Sequence, residues 1–199
     1  MFTDGISNKF SFYDQIGYLL VGSIALLMIA GNMWLFNRSE SLPSFALQTI
    51  LVLMVVAYFL GHLVQSVANI IIIEKKDSYT ISERKTLDAV RAYFDNSDWS
   101  DREAFQHCYI LSCGKDIAGH VAAFNAYYSL YRGWLLLFSF EAVYLAVHTI
   151  INWFSLEFFL LTLASLGIAF LMHYRRRLYW NYVTSKTLQT FIVYCKLSQ

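Results

Sequence analysis

Long, nearly continuous apolar runs dominate this chain, and the polar stretches between them are short, a pattern of helices and not of alternating strands. Four runs come close to or exceed the roughly 20 residues that a helix needs to cross about 30 Å of hydrocarbon. They extend from Gln15 to Phe36, from Phe45 to Ile73, from Arg132 to Trp153 and from Leu156 to Tyr174. Pro43 breaks the connection between the first two, and the last two are separated only by a tight turn around Asn152 to Ser155. The expected fold is all-α, with four transmembrane helices in two hairpins. Its segments are an N-terminal hairpin over 1–73, a polar helical insertion over 74–131, a second hairpin over 132–174 and a final helix over 175–199.

The insertion is punctuated like a run of short helices. Thr80-Ile-Ser-Glu83 and Ser100-Asp-Arg-Glu103 both fit the capping box, in which a hydroxyl and a carboxylate satisfy each other's orphan amides at a helix start. They predict helices over Ile81 to Phe94 and Asp101 to Ser112. Gly114 is expected to stop the second, and Asp116 to open a helix that continues through the third span to Asn152. That helix would hold roughly 37 residues and reach about 55 Å. Beyond the fourth span, Leu178, Tyr182, Leu188, Ile192 and Cys195 recur on one helical face, so the last helix should also run on. In the first span, Asp14 is placed for a capping or helix-dipole role, and Gly17 and Gly22 are expected to allow close packing.

Composition supports the membrane assignment: 57% of residues are hydrophobic, 18% aromatic and only 15% charged. A formal net charge of +1 excludes a strongly basic nucleic-acid binder on bulk charge. The placement of charge is more informative. Of 15 basic residues, Lys9 precedes the first span, eight lie between Lys75 and Arg132, and five follow the fourth span, against Arg38 alone in the first turn. The positive-inside rule then puts both termini and the insertion in the cytosol. Trp34, Trp134, Trp153 and Trp180 fall near span ends, where aromatic belts form. No basic region leads into a short apolar core, so the first span is expected to be retained and not cleaved as a signal peptide.

Polar groups inside the apolar runs are the first functional candidates. Glu141 lies near the middle of the third span, His148 follows it on nearly the same helical face, and His62 lies in the second span. Glu141 and His148, with Tyr144 one turn away, fit a pore lining or proton relay; alternatively, Glu141 joins helices by bonding to Asn32, Gln48 or His62. Arg102 and His107 share the R-x4-H spacing of HEPN-type ribonucleases, in which the His moves protons and the Arg stabilises phosphate. Cys108, Cys113, His107 and His120 lack the paired spacing of a zinc site, and reduced, buried thiols are expected instead. Arg175, Arg176 and Arg177, with Lys75 and Lys76, form a basic collar suited to anionic headgroups, a nucleotide, RNA or a partner protein. No phosphate-binding glycine loop, nucleophile elbow or metalloprotease helix occurs, so neither a cofactor nor a metal is expected.

The segments "FSFYDQIGYLLVG" (Phe10 to Gly22) and "AYFLGHLVQSVANIIIIEKK" (Ala57 to Lys76) resemble the four-span accessory membrane proteins of type VI-B CRISPR loci. The resemblance covers the first two spans and implies a bacterial inner-membrane protein that assists antiviral defence; it carries over no active-site residue. The expected function is a non-enzymatic homo-oligomer in contact with the lipid bilayer, which perturbs the membrane. A membrane anchor that recruits a cytosolic defence protein or answers a nucleotide signal is the second expectation. Third comes a membrane-bound HEPN-like ribonuclease acting through Arg102 and His107.

Overall fold

The computed structural model describes residues 4–37, 47–73, 79–115, 119–151 and 155–197. Arg38, Pro43, Lys75, Lys76, Asp116, Asn152 and Trp153 lie outside the described residues. Among the described residues the chain is all-α, with six helices: α1 (Asp4–Asn37), α2 (Leu47–Ile71), α3 (Ile81–Tyr93), α4 (Asp101–Lys115), α5 (His120–Ile151) and α6 (Leu156–Leu197). Of these, α1, α2, α5 and α6 are long and apolar enough to cross a membrane, and they associate as the pairs α1·α2 and α5·α6.

Three local expectations change. Because α1 begins at Asp4, Asp14 lies within the helix and not at its start. Helix α4 runs through Gly114 to Lys115, since one interior glycine costs only about 1 kcal/mol. Before α5 stands Gly119, whose φ of +70° lies outside the right-handed helical region, and α5 starts one residue later. It therefore has 32 residues, fewer than expected. By contrast, α6 is a single helix of 42 residues, as the recurrence of apolar positions predicted.

The chain divides into two compact units, Asp14–Ile73 with Ala126–Arg177, and Glu74–Asn125 with Leu178–Gln199 and Met1–Tyr13. Within the first unit, backbones set the packing of α1 on α2. A Cβ added at Gly22 would land on the Ala57 carbonyl, and one at Gly61 on the Tyr18 carbonyl. Both helices thus offer a small residue where the other brings its main chain, and the ring of His62 stacks on Tyr18 at 3.7 Å beside this contact. Gly17, expected to do the same, faces open space: a Cβ added there would meet nothing within 4 Å, and the same holds at Gly31. On α5, Gly133 makes room for Val21 and for Gln65, whose amide donates to the Ser129 carbonyl at 2.7 Å.

In the second unit, α3, α4 and the last part of α6 enclose a core of Leu87, Val90, Ala104, Phe105, Cys108, Leu188 and Phe191. Both predicted capping boxes are present. Thr80 and Glu83 exchange reciprocal bonds at the start of α3, and Ser100 and Glu103 do so at the start of α4. The Ser100 hydroxyl and amide hold the Glu103 carboxyl below its usual range. Arg91 fastens the turn between α3 and α4: it donates to Asp88 and to Asp101, each at 2.6 Å, and to the Trp99 carbonyl at 2.7 Å.

The α1·α2 contact yields a direct test. Gly22→Leu or Gly61→Leu should lower the unfolding free energy of the detergent-solubilised protein by about 1–3 kcal/mol or more, the usual cost of overpacking. Gly31→Leu, into open space, should change it by no more than about 0.5 kcal/mol.

Candidate functional site

The polar contact with the most to do chemically lies inside the apolar unit. Asn32 on α1 donates its side-chain amide to Glu141 Oε2 on α5 at 3.0 Å. Asn32 was one of the partners expected for Glu141, so the choice left open by the sequence is resolved in its favour. Among the described residues, no other hydrogen bond reaches this carboxyl group. The pair sits in the wall of an open groove of about 640 Å³ between α1, α2 and α5. Apart from Asn32, Glu141 and the Tyr144 phenol, the groove is lined by aliphatic side chains, methionines and Phe140.

The other intramembrane candidates go elsewhere. His148 is placed against Tyr144, at 4.7 Å between ring centres, and Phe158 of α6, at 6.0 Å. It is absent from the lining of the groove that holds Glu141. His62 joins the α1·α2 contact, stacked on Tyr18 and edge-on to Tyr58. Helix periodicity explains the separation of Glu141 from His148, since two turns put them about 10 Å apart along the axis.

In the second unit, Arg102 and His107 both lie exposed on α4. His107 lies flat on Trp99, with ring centres 3.9 Å apart and planes within 5°. The two share a helix, but no bond joins them. Cys108 is buried: its thiol donates toward the Thr187 carbonyl at 3.7 Å, and the Ser112 hydroxyl donates to the same oxygen at 2.8 Å. Burial pushes the Cys108 thiol up to about 12. Cys113 is half-buried, and His120 stacks near Phe124. Among the described residues no group of three or more His, Cys, Asp and Glu side chains is arranged to hold a metal ion.

The basic collar divides. Consecutive residues on a helix point about 100° apart, so Arg175 and Arg177 are exposed whereas Arg176 is buried, 6% exposed. Lys75 and Lys76 lie outside the described residues. Sequence reasoning missed Gln65, Gly61 and Gly133. A glutamine in an apolar run, 4% exposed in the structure, was the available signal for the first; the glycines carried none beyond their type.

Four long apolar helices, two of them linked by a polar pair, make this chain a candidate multi-pass membrane protein. No protein-family model matches it, and no curated protein or solved structure does either.

The thiol gives a pH-dependent expectation. An unfolded cysteine ionises near about 8.5, so the raised Cys108 value leaves the stability of the fold intact below about 8.5 and erodes it above. In sign, a thiol held protonated by the fold opposes unfolding least at high pH: the unfolded chain gains by losing this proton, and stability falls as pH rises from about 8.5 toward about 12. At pH 8, N-ethylmaleimide should modify Cys113 and spare Cys108 until denaturant is added, as read by mass spectrometry of peptides.

Proposed function

We propose that this chain is a non-enzymatic membrane effector of bacterial antiviral defence that assembles as a homo-oligomer and permeabilises the inner membrane. The observation that carries this reading is the Asn32–Glu141 pair in the wall of an open groove within an otherwise apolar unit. An ionisable group among candidate spans is costly and marks function by default. A second copy closing over the groove would turn that wall into the lining of a polar path. The placement of basic residues supports cytosolic termini and a cytosolic insertion. The likeness of 10–22 and 57–76 to accessory membrane proteins of type VI-B CRISPR loci supports the defence context.

One observation favours a second reading, an anchor or receptor for a cytosolic defence protein. The unit containing α3 and α4 has its own core and an apolar groove of about 510 Å³ lined by Phe105, Tyr109, Ile110 and Trp180, with Ile110 69% exposed. An exposed apolar groove of this kind suits a partner helix. The ribonuclease expectation draws on Arg102 and His107 alone.

Expression in bacteria separates these readings. At matched membrane levels, wild type should collapse the membrane potential and admit dye, Glu141→Gln should not, and His107→Ala should behave as wild type. An intact membrane with wild type, during phage challenge included, would overturn the effector reading and move the function to the second unit.

A further inference from the structure

The groove at Glu141 has the chemistry of a ligand site in its own right. Its volume of about 640 Å³ falls within the roughly 300–1,000 Å³ typical of small-molecule sites. The lining is overwhelmingly apolar, with Met28, Ile29, Leu60 and Leu137 among its walls, and it contains a single acidic group and no basic one. Asn32 engages Glu141 Oε2, while Oε1 has no hydrogen bond among the described residues. One amide cannot replace the hydration shell of a carboxylate, so in its ionised form Glu141 is complemented by a positive charge brought into the groove.

The rings decide what kind of cation fits. Phe140 is the neighbour of Glu141 on α5 and Tyr144 lies about one turn further on; both line the groove and are substantially exposed. Aromatic faces attract weakly hydrated organic cations. A small metal cation needs several oxygen ligands to replace its water, and the only oxygens among the lining side chains are those of Asn32, Glu141 and Tyr144. The geometry points to a binding site for a lipophilic organic monocation, such as a quaternary ammonium or phosphonium or a protonated lipophilic amine. Its charge rests against Glu141 and its apolar body against the walls of α1, α2 and α5. The inference shares with the proposed function only the choice of site; it requires neither the oligomer nor the leak.

Equilibrium dialysis of radiolabelled tetraphenylphosphonium against the purified full-length chain in detergent tests it. Saturable binding is expected, weakened about tenfold or more in Glu141→Gln, the scale of one lost charge contact. Glu141→Asp should keep most of the affinity. Leu137→Trp, which fills the groove and leaves the carboxyl group in place, should also abolish binding, while tetraphenylborate, of the same shape and opposite charge, should partition only into micelles. Uptake no greater than by empty micelles would overturn the inference. So would binding equal to wild type in both Glu141→Gln and Leu137→Trp, or equal binding of the anion. Saturable binding without any membrane leak upholds this inference and removes the proposed function; a leak without binding does the reverse.

Discussion

Everything in the apolar unit depends on how closely two main chains can approach at the α1·α2 contact. Between helices in a bilayer the lipid is as apolar as the side chains, so burial alone does not hold them together and packing must. Gly22 meets the Ala57 carbonyl and Gly61 the Tyr18 carbonyl with no space for a further carbon. This contact fixes the rotation of α1 about its axis. The same rotation turns Val21 toward Gly133 and Asn32 toward Glu141 on α5. The polar pair is therefore a consequence of small residues more than one turn away, and its hydrogen bond adds direction to an approach already set by shape.

The second unit is built on different physics. Its helices are short, amphipathic and capped, and they enclose an ordinary apolar core around Leu87, Phe105 and Phe191. Arg91 supplies what packing does not, since one guanidinium joins two carboxylates and a carbonyl across the turn between α3 and α4. Its rigid fork suits that task as a lysine would not. The buried Cys108, Ser112 and Thr187 group does similar work between α4 and α6, where a helix carbonyl on α6 receives two donors from α4.

Much of this was legible in the residues. Apolar runs and their lengths marked the four long helices, and two capping boxes marked the starts of α3 and α4, because each signal is local. Asn32 was among the candidates for Glu141 because few polar groups occur in these runs. What failed was non-local or depended on backbone angles. Gly17 and Gly22 look alike in sequence, yet only Gly22 faces another helix. Nothing in the residue types marked Gly119 as the positive-φ residue that precedes α5. Asp14 was mistaken for a helix start because an apolar run need not begin where its helix does. Arg175 to Arg177 read as one patch, but helical rotation divides them.

The first turns of α2 have a consequence for how the protein is made. From Ile50 to Val56 every side chain is apolar and exposed, on all sides of the helix. In water this stretch, which none of the described residues covers, would be hydrated at a cost of about 25 cal/mol for each Å² of apolar surface. A finished copy waiting in the cytosol would meet others through this stretch before it met a bilayer. For a helix that is a candidate span, passing into lipid as it emerges would spare the chain that exposure.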